Sequence, residues 1–164
     1  KIGIIAYDST LSHMKERIRG AISAMENNDI LVNVNWIKKV RYSTISEDVE
    51  RSIDELTTGR HPVTAILFTS NSIAMHGIKK IDKLGLDVPT DIAIVSFDQG
   101  EAFDFYYSPI TYIQQPLTDL GKKAVKILIN EIASPDTGYK RINLEANLVI
   151  KASCGKEFIE KQIK

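Results

Sequence analysis

The chain has 164 residues, room for one compact α/β domain with a proper core and too few to promise two independent ones. Its 21 Lys and Arg balance its 21 Asp and Glu, so no net field draws in nucleic acid or an anionic membrane. A single cysteine, Cys154, excludes an internal disulfide framework and, with His13, His61 and His76 scattered, gives no metal-ligand spacing; a reducing compartment is the easier reading.

The opening KIGIIAYD reads as a folded strand rather than a signal peptide, and no apolar run reaches membrane-spanning length. A chain that begins inside a strand, without an initiator Met, is read as part of a longer protein. Leu11, Met14, Ile18, Ala21, Ile22 and Met25 then recur at helical spacing. VNVNW, residues 32–36, alternates, and Asn33 and Asn35 give it the one polar face of an edge strand. Thr44 and Glu47 are spaced as a capping box before a shorter helix marked by Val49, Ile53 and Leu56.

VTAILF and IAIVSF are apolar on both faces, which suits the centre of a parallel sheet covered by helices. Ile73, Ala74, Ile78, Ile81 and Leu84 mark the helix between them. TYIQQ is a further short strand. Pro116 opens a last helix through Leu117, Leu120, Ala124, Ile127, Leu128 and Ile132, which Pro135 and Gly138 stop before the strand-like NLVIKAS. The order β-α-β-α-β-α-β predicts an α/β fold with a doubly wound parallel sheet.

Open parallel sheets bind ligands beyond the carboxyl ends of their strands. Tyr7, Asp8, Ser9 and Thr10 follow the first strand, Arg41, Tyr42 and Ser43 the second, and Thr69, Ser70 and Asn71 the third. Asp98 and Gln99 follow the fourth, and Gln114 and Gln115 end the fifth. Together they can hydrogen-bond a polar small molecule and stack on its apolar face. Such residues also cap helices and make turns, the better account of Ser9, Thr10, Ser43 and Thr69. Asp98, ahead of Gln99, Gly100 and Glu101, has no evident helix to cap and stands evenly between the two readings. AYDSTLSHM lacks the glycines of a dinucleotide turn, no G-x-S-x-G occurs, and His61 and His76 have no catalytic company. No catalytic residue, cofactor site or metal site is read, and an enzyme is not expected.

The run AILFTSNSIAMHGIKKIDKLGLDVPTDIAIVSFDQ, followed by SPITYIQQPLTDLGKKAVKILINEI, resembles the effector-binding core of the lactose-repressor and galactose-repressor (LacI/GalR) family of bacterial transcription regulators. Its distinctive parts are V-P-x-D-I-x-I-V-x-F-D, P-I-T-x-I-x-Q-P and L-G-x-x-A-V, in the family's order. Upstream, IGIIAYDSTLSHMKERIRGAISAM resembles the family's strand and its R-x-x-G helix.

The resemblance implies one lobe of a two-lobed, periplasmic-binding-protein-like (type I) fold. Residues 1–164 would be mainly the C-terminal lobe. A helix-turn-helix headpiece, most of the other lobe and this lobe's first helix would lie upstream. Residues 116–140 would cross to the other lobe, and a strand around Ile142 to Ile150 would return. With the covering parts absent, the helix at Leu117 to Ile132 is expected to meet a large contact. By position, Asp98 matches a carboxylate that takes paired sugar hydroxyls, Arg17 a ligand-binding arginine, Tyr42 a ligand-facing aromatic and Gln115 the crossover glutamine. Ser70-Asn71 stands where the family often has Asn-Asp, a departure that argues against a simple hexose; Asp8 joins the set from the same sheet edge.

The family also implies homodimerisation, with Met75 and Tyr106 near lobe-to-lobe contacts. For at least two of Phe103, Phe105, Tyr106 and Tyr107 the simpler reading is a loop pinned to its own core. The implied partners are a sugar-like effector, a second subunit and, through an upstream domain, operator DNA, in the cytoplasm and away from membranes. The rival reading is a solute-binding receptor for transport, which shares the fold; an enzyme of flavodoxin-like architecture stands third.

Overall fold

The computed structural model describes residues 1–134, 138 and 141–155. Six strands form one sheet: β1 (Ile2–Tyr7), β2 (Ile37–Val40), β3 (Ala65–Phe68), β4 (Ala93–Phe97), β5 (Thr111–Gln114) and β6 (Asn147–Val149). Their order is β2-β1-β3-β4-β5-β6; every pairing is parallel except β5 with β6. The helices are α1 (Ser12–Asn27), α2 (Ile45–Thr57), α3 (Asn71–Lys83) and α4 (Leu117–Ala133). The doubly wound α/β reading therefore holds, with an antiparallel edge added by β6.

The strand pattern explains the layering. Ile66, Phe68, Ile94 and Ser96 are buried on one face of the sheet, while the alternate Ala65, Leu67, Ala93, Val95 and Phe97 are only half-buried on the other. α2 and α3 pack together on the first face. There Gly77 of α3 lets the helix come down onto Phe68: a Cβ on Gly77 would lie 2.3 Å from that ring. α1 borders the second face, across a groove from α4 floored by Leu67, Phe97 and Ile113.

Three local expectations are corrected. VNVNW is not the second strand. Asn33 instead accepts a hydrogen bond from the Asn35 amide and caps a 3-10 turn at Val34–Trp36, which buries Trp36, and the edge strand follows as IKKV. Thr44 does occupy the N-cap of α2, yet no capping box forms. Its backbone, at φ −129° and ψ 33°, is not in the extended conformation of a capping residue, and its hydroxyl donates to the buried Asp48 carboxylate at 3.1 Å. The final strand is three residues long rather than nine and is followed by a 3-10 turn at Ala152–Cys154.

α4 ends at Ala133; the stop assigned to Pro135 falls outside the described residues. The large contact expected along this helix is not seen among the described residues, where α4 has no buried residue. Of the aromatic run, Phe103 is buried and Tyr106 packs on the core, whereas Phe105 and Tyr107 are exposed. Tyr107 still accepts a hydrogen bond from the Val88 amide at 2.7 Å, so three of the four pin the loop. Met75, like Tyr106, is partly buried against the core. Among the described residues no helix is long and apolar enough to cross a membrane.

Candidate ligand-binding site

The carboxyl ends of β1, β3, β4 and β5 bring three of the predicted residues into direct contact. β4 ends at Phe97, and the next residue, Asp98, turns into the left-handed region with φ +67° while its amide stays bonded to the Ile113 carbonyl at 3.0 Å. Asp is one of the few residues that visits this region at modest cost, and such a conformation at a strand end marks a position held by its surroundings. Those surroundings are Arg17, whose Nη1 donates to Asp98 Oδ2 at 3.1 Å, and Gln115, whose Nε2 donates to Oδ1.

Arg17 reaches Asp98 from the second turn of α1 and is itself fixed. Its side chain is 10% exposed, Nη1 also donates to the Thr69 carbonyl at 2.6 Å, and its guanidinium lies 3.9 Å over the Phe97 ring. A charge held by a carboxylate, a carbonyl and an aromatic face is compensated without freezing all of its five donors. Asp98 keeps 29% of its side chain exposed. Each carboxylate oxygen therefore retains acceptor capacity on the open side.

That side is a cleft of about 900 Å³ lined by Asn71, Asp98, Gln99, Glu101, Gln115 and Asn147, among others. Asn71 borders it while donating to the Gln99 carbonyl at 2.9 Å, which ties the start of α3 to the loop after β4. Gln115 also lines the groove of about 1060 Å³ between α1 and α4, where Arg17 stands, so Gln115 is shared by the two openings. The larger groove is the more apolar, with Ala21, Ala24, Leu120 and Ile127 on its walls, and the polar chemistry lies in the smaller one.

The other predicted residues are placed differently. Ser70 is buried, and its hydroxyl accepts from the Ser72 amide as the N-cap of α3. Thr69 makes no cap; its hydroxyl donates to the Ile5 carbonyl. Asp8 is exposed, 3.9 Å from Lys39 Nζ. Tyr42 lies on the loop after β2 and stacks on Tyr7 with centroids 3.8 Å apart and rings 10° from parallel. Among the described residues no hydrogen bond, ion pair or ring contact joins Tyr42 or Asp8 to the Arg17–Asp98–Gln115 group.

Three contributors escaped the sequence reading. Phe97 looked like one more apolar strand residue; Tyr7 was one polar-tipped residue among many; Asp48 sat inside a helix pattern judged only by its apolar members. The signal for Asp48 was a carboxylate beside Val49 and four residues before Ser52, on the turn that faces the core. Among the described residues no cluster of His, Cys, Asp or Glu is placed to hold a metal ion.

A mostly parallel sheet with a polar, charge-paired cleft at its strand ends defines a class. Residues 1–154 match the family described as periplasmic binding protein-like domain, and the chain belongs to that family. It is 31% identical over 156 residues to an HTH-type transcriptional repressor, PurR, of Haemophilus influenzae (strain PittEE), covering 93% of this chain and 46% of that protein. It is also 31% identical over 153 residues to the ribose operon repressor of H. influenzae (strain ATCC 51907 / DSM 11121 / KW20 / Rd), with the same coverage. A regulatory protein of LacI family from Chloroflexus aggregans superposes with a TM-score of 0.81 at 24% identity over 94% of this chain and 55% of that one, a likeness of fold. The chain thus spans just under half the length of the curated relatives it matches.

Proposed function

We propose that this chain is the effector-sensing domain of a DNA-binding transcriptional regulator, and that its effector is a small polar metabolite of the sugar or sugar-derivative class. The observation that carries the reading is the Arg17–Asp98–Gln115 group at the strand ends. Asp98 accepts two neighbouring hydroxyls from the open side, and Arg17 and Gln115, already on its two oxygens, hold it in place. A molecule lacking those hydroxyls leaves a desolvated carboxylate unsatisfied, so the group discriminates as well as binds. Asn71 contributes from the cleft wall. Ser70 supports it as a cap, and Tyr42 and Asp8 extend the site toward β2.

The other half of the cleft comes from a second lobe, into which residues 116–140 cross. The supporting feature is α4, whose broad apolar face, with Leu117, Leu120, Val125, Leu128, Ile129 and Ile132, is exposed among the described residues. Closure of the lobes on effector changes how a homodimer, with Met75 and Tyr106 near its contacts, presents two headpieces to operator DNA. The same reading makes the protein a non-enzymatic, cytoplasmic regulator, in keeping with the 31% identical repressors.

Calorimetry of the full-length protein with D-ribose and a panel of related sugars tests the site. A bound sugar whose affinity falls on the order of a hundredfold in Asp98→Ala, equivalent to about 2.7 kcal/mol, is the expected result. Affinity unchanged in that variant removes Asp98 from the site.

A further inference from the structure

Asp48 belongs to the first turns of α2, yet its side chain is only 2% exposed, and five donors converge on it. The Arg41 amide at 3.0 Å, Arg41 Nε at 2.9 Å and the Thr44 hydroxyl at 3.1 Å reach Oδ2. Arg41 Nη2 at 2.9 Å and Arg51 Nη2 at 2.8 Å reach Oδ1. Four of the five come from Arg41 and Thr44, the residues on either side of Tyr42 and Ser43. One carboxylate therefore grips both ends of a two-residue span.

Tyr42 is the first residue of that span. One face of its ring lies on the buried Tyr7 at the end of β1, and with 57% of the residue exposed the opposite face is open. A single stacked pair is a weak restraint on an exposed side chain, comparable to the rotamer freedom it removes. What decides where the ring sits is the backbone that carries it, and that backbone is bonded to Asp48.

We infer that Asp48 is a positioning residue for the ligand site: by fixing Arg41 and Thr44 it sets Tyr42 flat on Tyr7, with the outer face of the ring presented beside the strand ends. The inference rests on the reading of Tyr42 as a ligand-facing aromatic. The donor set suits the task, since charge-assisted bonds are the strong ones and Arg41 meets the carboxylate with two nitrogens. Arg41's guanidinium, together with its amide and the Thr44 hydroxyl, holds the Asp48 carboxyl well below the usual carboxylate range. The clamp is charged throughout the physiological range.

A fluorotyrosine in place of Tyr42 makes the stack visible by fluorine NMR, because the Tyr7 ring current shifts its resonance. Tyr7→Leu supplies the unstacked reference. In Asp48→Asn, and in the double variant Arg41→Met, Thr44→Val, which removes three of the five donors and leaves the helix core untouched, the resonance is expected to move most of the way to that reference while far-ultraviolet circular dichroism stays native. Should Asp48→Asn not fold, the double variant decides alone. A resonance unmoved in a folded variant overturns the inference; a purely structural role for Asp48 would lower the melting temperature without moving the signal. The ligand reading is separated by Tyr42→Ala titrated with D-ribose and the sugar panel. A sugar that binds the wild type and Tyr42→Ala equally ends Tyr42's ligand role, whereas the fluorine signal reports on the clamp whatever that titration shows.

Discussion

Asp98 has two demands placed on it, a left-handed backbone and a carboxylate between Arg17 and Gln115, and substitutions separate them. Alanine fails both, because it lacks the short polar side chain that lets Asp and Asn settle at positive φ, and Arg17, 10% exposed, loses its counter-charge. Asp98→Ala is expected to cost about 1–3 kcal/mol by urea denaturation. Asn tolerates the conformation, so Asp98→Asn should cost less; equal losses would assign the whole effect to charge. Asp48 gives a pH signature. Its carboxyl is lowered in the folded protein by Arg41, so the unfolded chain takes up that proton first as pH falls. The stability it contributes is complete above the ordinary carboxylate value of about 3.9 and is lost progressively below it. Asp48→Asn should therefore be less stable than the wild type near neutral pH and converge on it in acid. A deficit that does not change with pH would place the loss in geometry rather than ionisation.

At the scale of elements the close approach of α3 to β3 is the most exacting contact. A methyl on Gly77 would stand 2.3 Å from Phe68, a fully buried ring. Gly77→Ala gains helix propensity of about 1 kcal/mol but overpacks the core at a cost of about 1–3 kcal/mol. A lowered melting temperature is expected, and a raised one would mean that the ring yields. Nothing in the pattern Ile73, Ala74, Ile78, Ile81 distinguished Gly77 from an indifferent helix residue. The helices and inner strands were legible because apolar periodicity reports which face is covered. VNVNW misled because alternation at 32–36 satisfied a strand, while the local Asn33 side-chain bond favoured a tight turn. The site was half legible for a similar reason. Strand ends could be counted off the sequence, so Asp98, Gln115 and, by resemblance, Arg17 were placed. The partners that hold them, Phe97 and the Thr69 carbonyl, depend on how the α1 side chains cross the sheet, which no local pattern encodes. Thr44 followed the capping rule in position but not in bonding, because its backbone, at φ −129° and ψ 33°, lies outside the extended region from which a cap hydroxyl accepts the first helix amides.

At the scale of the whole molecule, the proposed function requires an effector to have different affinities for two arrangements of two lobes, so a surface of this chain able to meet a second lobe bears on it as much as the site does. α4 is the surface on which this chain makes that case. Leu120, Ala124 and Ile127 look into the groove toward α1, while Val125 and Ile129 line a shallow depression on another side of the helix, and all of them lie outside the buried core. The opposite side of the helix is polar, with Asp119, Lys122, Lys126 and Asn130, so α4 carries one broad apolar face, and such a face left uncovered binds whatever apolar surface it meets. The chain of these 164 residues should therefore bind a hydrophobic dye and self-associate as its concentration rises. The double variant Val125→Lys, Ile129→Lys should suppress both, with its melting temperature close to that of the unsubstituted chain, because neither side chain belongs to the sheet core. Undiminished dye binding would shift the sticky surface to the half-covered sheet face around Leu67 and Phe97. A cooperative loss of the fold would show that α4 packs within the chain more tightly than its exposure allows.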